Sequence, residues 1–363
     1  MFKKVSLLLA LLVVASMVLT ACQPAAPAEQ PAAEQPAAEE PEMKFKVCQV
    51  TDTGGIDDKS FNATAWKGAE DAVAELGVEA KYLESQEVAD YEKNLNAFIE
   101  EKCDLIITVG FLLGDATKAS AEANPDFEYT IVDVSYDPVI PNVVGQVFQT
   151  DEAAFLAGYL AAATTQTGKV GTFGGLPIPP VTIFMDGFAR GVMYYNEVKG
   201  TNVEVLGWDI NDPEGGLFTM SFDDQTKGKE FGIQLMDEGA DIIMPVAGPV
   251  GLGTAAAITE RGSGYIIGVD ADWVLTNPDY APIILTSVLK KMDVTTFNVI
   301  KDAMEGNFTG GITAGTIENG GVDLAPFHEL DGMVSDELKA ELEDVRAKLI
   351  DGTITLSDAF KVQ

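Results

Sequence analysis

The chain has 363 residues, with 57 Asp and Glu against 23 Lys and Arg, one His and three Cys, for a formal charge of −34. So acidic a chain, without Lys or Arg clusters, is a poor match for nucleic acid or a polyanionic ligand. No C-x-x-C, H-E-x-x-H or G-x-S-x-G occurs, which leaves out the common redox, zinc and serine-hydrolase machinery.

Met1 to Ala21 opens with Lys3 and Lys4, continues in an apolar run from Val5 to Val14 and ends in small residues. That is the pattern of a secretory signal, and the run is short for a bilayer-spanning helix. "LTAC", Leu19 to Cys22, resembles the bacterial lipobox, which implies cleavage before Cys22 and a diacylglyceryl group on its sulfur. The protein is therefore expected on the extracytoplasmic side of the cell membrane, anchored through Cys22. Gln23 to Glu42 repeats Ala, Glu, Gln and Pro with nothing large enough for a core. Residues 22–43 then serve as a tether of roughly 60 Å if polyproline II, at about 3.1 Å per residue.

The fold starts near Lys44, and the remaining length suits two domains. Apolar runs predict strands over 44–50, 81–86, 104–110, 128–134, 143–148, 169–175, 203–210, 241–247, 265–270 and 283–289. Between them, amphipathic patterns predict helices over 60–76, 90–102, 151–166, 181–198, 224–238, 250–261 and 292–305. Such alternation means an α/β fold with parallel sheets covered on both faces, and ten strands suit two five-stranded sheets. Cys48 and Cys103 are expected as buried free thiols rather than a bridge, since export alone makes no disulfide and the sequence does not fix their separation.

In such sheets ligands sit beyond the carboxyl ends of the strands. Those ends read "TDTGGIDDKSFN", "GFLLGDAT", "GGLPIPP", "AGPVGLGT", "DADW" and "LKKMD". Asp52, Asp115, Asp270 and Lys290 supply polar groups there, and Phe61 an apolar plate. Each has a local reading too. Asp57, Asp58 and Ser60 suit helix capping, Phe61 a hydrophobic staple, and Asp52 a cap on its own turn. Together they describe a cleft.

"TDTGGIDDKSFNATAWKG" resembles the signature of the basic membrane protein (BMP) family, the purine-nucleoside-binding lipoproteins of bacterial ABC importers. The resemblance continues through "DYEKNL", "NPDFEYTIVD", "FLAGYLAA", "VGTFGGLPIPPV", "DGFARGV", "AGPVGLGTAAA", "IGVDAD" and "LTSVLKKMD", and covers Lys44 to Lys301. It implies a type I periplasmic-binding-protein fold, two Rossmann-like lobes joined by a three-stranded hinge. Crossings are expected near Phe148 to Asp151, Asp270 to Trp273 and Gly311 to Thr316. Lobe 1 would be 44–149 with about 273–312, and lobe 2 would be 150–272 with about 313–363.

The resemblance also implies roles. Phe61 would stack on the base, with Phe222 on its other face, Asp52 hydrogen-bonding the base and Asn62 offering donor and acceptor to base or sugar edges. Asp270 would accept from ribose hydroxyls, Lys290 would donate to sugar oxygens, and Gly248 would bring its backbone close; Asp115 is a further candidate. Trp273 stands where the family often has Gln, and "DINDPEGGLFTM" before Ser221 looks longer than usual. The function implied is delivery of a nucleoside, purine by preference, to an ABC permease by a monomer, with no cofactor, no metal and no catalysis. Two alternatives stand beside it: a ligand-responsive surface sensor of the same fold, and a nucleoside- or dinucleotide-using enzyme. For the latter, "GLGTAA", Gly251 to Ala256, matches G-x-G-x-x-A, follows a strand and opens a helix. Its late place in the chain and the tether favour a receptor. His328, the sole histidine, is expected at the surface.

Overall fold

The computed structural model describes residues 44–356. The expected signal, lipidated Cys22 and tether over 1–43, and the end of lobe 2 over 357–363, lie outside the described residues.

The first half runs β1 (Lys46–Val50), α1 (Phe61–Leu76), β2 (Glu79–Leu83), α2 (Asp90–Glu100), β3 (Leu105–Val109), α3 (Gly114–Ala123), β4 (Glu128–Val132) and β5 (Val143–Phe148). The chain continues with α4 (Thr150–Thr164), β6 (Lys169–Gly174), α5 (Pro179–Lys199), β7 (Glu204–Leu206), α6 (Gln225–Asp237), β8 (Ile242–Val246), α7 (Gly251–Arg261) and β9 (Tyr265–Asp270). It closes with α8 (Trp273–Thr276), β10 (Ile284–Lys290), α9 (Met292–Met304), β11 (Gly311–Gly315), β12 (Val322–Leu324) and α10 (Asp336–Ile350). All ten predicted strands form, with ends displaced by a few residues. The helices α3, α8 and α10 and the short strands β11 and β12 are additions to the sequence reading.

The sheets have six strands each rather than five. Their orders are β11-β5-β4-β3-β1-β2 and β12-β10-β9-β8-β6-β7. All pairs are parallel except β10 with β12. The central strands β3 (LIITV) and β8 (IIMPV) are buried at every residue, as strands covered on both faces must be.

The chain passes between the sheets after β5, after β10 and after β11. The crossing expected at 270–273 is therefore corrected: β9 and β10 are neighbours in one sheet, and residues 273–290 belong with lobe 2. The reason is Trp273. Its backbone N–H donates to Ser287 Oγ on β10 at 3.1 Å, and its indole N–H to Val269 O at 2.9 Å, which turns the chain back onto the second sheet. After β10, α9 packs on α1 in the first lobe.

Cys48 and Cys103 form a disulfide, against the expectation of free thiols. β1 and β3 are adjacent parallel strands with Cys48 opposite Ile106, and Cys103 lies just before β3. Their Cα atoms are 6.0 Å apart, within bridging distance. Strand order decided this, and it was not legible before the topology. Both residues are buried, as expected.

Candidate functional site

The loop after β1 is held by its own carboxylates. Asp58 Oδ1 accepts the backbone N–H groups of Ser60 and Ala63, each at 3.0 Å, and Oδ2 accepts that of Asn62 at 2.7 Å. Asp58 is thus the cap of α1, where negative charge meets the positive end of the helix. Exposed Asp57 takes no such part. Burial nevertheless pushes the Asp58 carboxyl up to about 7, partly offset by these donors.

Asn62 joins two acids. Its Nδ2 donates to Asp52 Oδ1 at 2.7 Å and to Asp58 Oδ2 at 3.2 Å, while its Oδ1 accepts the Asp52 N–H at 3.3 Å. Its amide is occupied within the protein, so its direct effect is to fix Asp52. Asp52 Oδ1 also accepts from Gly54 N at 2.9 Å, and burial raises its pKa. Among the described residues Asp52 Oδ2 has no hydrogen bond.

From the other sheet come Asp270 and Lys290. Asp270 ends β9 in the left-handed region, φ +67, and its Oδ2 accepts from Ser60 Oγ at 3.0 Å. The same hydroxyl lies 3.2 Å from Val269 O, so Ser60 ties the first lobe to the second. Burial raises the Asp270 carboxyl to about 6, against the opposing pull of the Lys290 charge. Lys290 ends β10, and its Nζ lies 2.5 Å from Asp133 Oδ1 and 2.6 Å from Oδ2. Both side chains are almost wholly buried, at 2% and 7% exposure. The ammonium also faces the rings of Phe61, Phe148 and Phe184, with centroids at 4.9, 5.3 and 6.0 Å.

These groups line one cavity of ≈60 Å³, several times the space one water requires. Its wall includes Asp52, Phe61 and Asn62 from one lobe, and Phe222, Gly248, Asp270 and Lys290 from the other. Seven of the eight expected residues thus meet. Gly248 has φ +54 and nothing within 4 Å of where a Cβ would stand, so its backbone borders open space in a conformation that favours glycine. The long stretch before Ser221 runs beside the end of β6, with Thr219 N on Gly174 O at 3.0 Å and Met220 N on Gly175 O at 2.8 Å, and so carries Phe222 to the cavity.

Asp115 is the exception and is corrected. It lies exposed in the first turn of α3, a helix where a loop was expected, and is not on the cavity wall. Among the wall residues that were missed are Asp133, Phe184 and, as more than a cap, Asp58. An acid directly after an apolar strand, "TIVD", was the available signal for Asp133. Phe184 has none, because an aromatic on a buried helix face reads as core.

The remaining sequence features find structural explanations. Trp273 fills the core of the second lobe at 1% exposure, with no place on the cavity wall. In "GLGTAA" a Cβ at Gly253 would lie 1.9 Å from Gln225 O, so that glycine serves the close approach of α7 to α6. His328 is partly exposed and its Nε2 lies 2.7 Å from Asp272 Oδ2, away from the cavity.

Comparison with known proteins follows the same lines. Residues 45–359 match the family model described as ABC transporter substrate-binding protein PnrA-like. The ABC transporter nucleoside-binding protein BmpA of Lactococcus lactis is 31% identical over 86% of this chain and 88% of its own. Basic membrane protein A of Borreliella burgdorferi is 33% identical over 85% and 86%. A crystal structure of an ABC transporter solute-binding protein from Aeropyrum pernix superposes with a TM-score of 0.77 at 30% identity, covering 86% of this chain and 92% of that one. The fold is the type I periplasmic-binding-protein fold, α/β with two parallel-dominated sheets.

Proposed function

The chain belongs to the PnrA-like family of ABC transporter substrate-binding proteins, and from that premise we propose that its cleft binds a nucleoside, purine by preference. As a member of that family it takes up a small molecule and presents it to an ABC permease. The observation that carries the nucleoside reading is the composition of one cavity wall. Aromatic faces, Phe61 and Phe222, stand with carboxylates that retain an open oxygen, Asp52 and Asp270. A nucleoside has both halves, a planar base and a hydroxyl-bearing sugar. The L. lactis relative's description as nucleoside-binding supports the same reading.

In this account Phe61 and Phe222 stack on the base, worth ~1–3 kcal/mol per base by comparison with aromatic platforms for single strands. Asp52 accepts from a base N–H, positioned by Asn62. Asp270 accepts from ribose hydroxyls, and it does so when ionised, above about pH 6. Lys290 donates to sugar oxygens, and Gly248 lets the ligand come close to backbone. The protein acts as a monomer, lipid-anchored through Cys22 on the extracytoplasmic face. Binding proceeds without chemistry, so nucleosides are recovered unchanged.

Mass spectrometry of the compound released when freshly purified protein is denatured tests this. A purine nucleoside near one equivalent is expected. A sugar, amino acid or other non-nucleoside in that yield would overturn the assignment.

A further inference from the structure

The cavity wall carries four carboxylates, Asp52, Asp58, Asp133 and Asp270, and among the described residues lining it Lys290 is the one cation. Where that cation sits decides which carboxylate stays open to a ligand. We propose that Asp133 is a positioning residue for ligand selection: by holding the Lys290 ammonium, it leaves Asp270 free to accept from ligand hydroxyls. This rests on the nucleoside reading of the cleft.

The geometry is one-sided. Both Asp133 oxygens reach Lys290 Nζ, at 2.5 and 2.6 Å, whereas Asp270 has its Oδ2 turned to Ser60 Oγ at 3.0 Å. The ammonium also faces the rings of Phe61, Phe148 and Phe184. Asp133 is itself built for the purpose: it sits directly after β4 in the left-handed region, φ +69, while its N–H continues the sheet ladder onto Gln146 O at 2.8 Å. A non-glycine residue in that conformation carries strain that its surroundings must hold in place. Lys290 remains near enough to Asp270 for its charge to act there. Remove the Asp133 charge, and Asp270, the other carboxylate on which the Lys290 charge acts, becomes its natural partner. Its oxygens would then be engaged before a sugar arrives.

Two readouts on the full-length protein test this, with folding checked by thermal melts. The first is affinity for a purine ribonucleoside relative to its 2′- and 3′-deoxy analogues. Wild type should favour the ribonucleoside about ten- to a hundredfold, the scale of one charge-assisted hydrogen bond. In Asp133→Asn the ratio should collapse to within about threefold, and Asp133→Glu, which keeps a carboxylate for the ammonium, should retain a larger ratio than Asp133→Asn. A wild-type ratio kept in Asp133→Asn, or a ratio as small in Asp133→Glu as in Asp133→Asn, would overturn the proposal. Should Asp133→Asn fail to fold, the smaller neutral variant Asp133→Ser is read in the same way. The second readout needs no ligand: a 13C NMR pH titration of aspartate carboxyls, with Asp270 assigned through Asp270→Asn. Its midpoint should fall in Asp133→Asn as the ammonium moves onto it; an unchanged midpoint overturns the proposal. Wild type that binds no nucleoside defeats the functional reading instead, and an unchanged Asp270 midpoint still overturns the proposal.

Discussion

The two sheets repeat one strand order, β2-β1-β3-β4-β5 and β7-β6-β8-β9-β10, each extended by one strand from the late chain. Asp133 after β4 and Asp270 at the end of β9 hold equivalent places, both in left-handed backbone. Their surroundings differ: one is closed by Lys290, the other keeps an oxygen open. The loops after β1 and β6 differ as well. The first is an acidic turn fastened to itself through Asp58 and Asn62, and the second, "GGLPIPP", presents Ile178, Pro180 and Val181 to the cavity. Topology sets where a side chain stands, and the residue placed there sets the chemistry.

The largest effect should come from breaking the asymmetry at its ion pair. Lys290→Ala leaves Asp133 buried and unpaired, so stability should fall by ~3–5 kcal/mol in urea unfolding, the range for removing one partner of a buried pair. A loss below about 1 kcal/mol would mean that the pair does not hold the lobes together. Next, Phe61→Ala removes a plate from the first lobe while leaving that pair in place. Competition binding should show purine nucleosides weakened by ~1–3 kcal/mol, about ten- to a hundredfold. Wild-type affinity would make Phe61 a staple on its own helix.

Smaller effects follow pH. Asp58 and Asp270 have folded pKa values raised to about 7 and about 6, so the folded state binds more protons than the unfolded one from about pH 4 up to those values. Their contribution to stability is therefore most favourable at acid pH and is lost as pH rises through 6 to 7. Thermal melts from pH 5 to 8 should show a falling midpoint, and Asp58→Asn should flatten part of the fall; a parallel profile would contradict the Asp58 assignment. Nucleoside affinity should move the opposite way and weaken as pH drops through about 6, because protonated Asp270 loses acceptor capacity. Affinity constant between pH 5 and 7 would speak against Asp270 as the sugar acceptor.

Much of the fold was legible because alternating β runs and amphipathic helices carry their own periods. What escaped reading depends on long-range pairing. Strands β11 (GITAG) and β12 (VDL) are too short and too poor in large apolar residues to show themselves, and they form because each crossing lays them beside an existing edge. Helix α3 hid behind the glycines of "GFLLGDAT". Helix α10 could have been found, from Ser335 capping Leu338 N and the stripe Leu342, Val345, Leu349. At the site, residues in glycine- and acid-rich strand ends were readable. The Asp133–Lys290 pair was not, since its members are 157 residues apart and meet only when two sheets face each other.

The central claim is that one cavity has an aromatic half and a carboxylate half occupied by a single ligand. Calorimetric titration of wild-type protein with a purine nucleoside, its free base and free ribose tests this directly. One-to-one binding of the nucleoside, tighter than either fragment alone, is the predicted result. No heat from any purine nucleoside, or free ribose bound as tightly as the nucleoside, would contradict it.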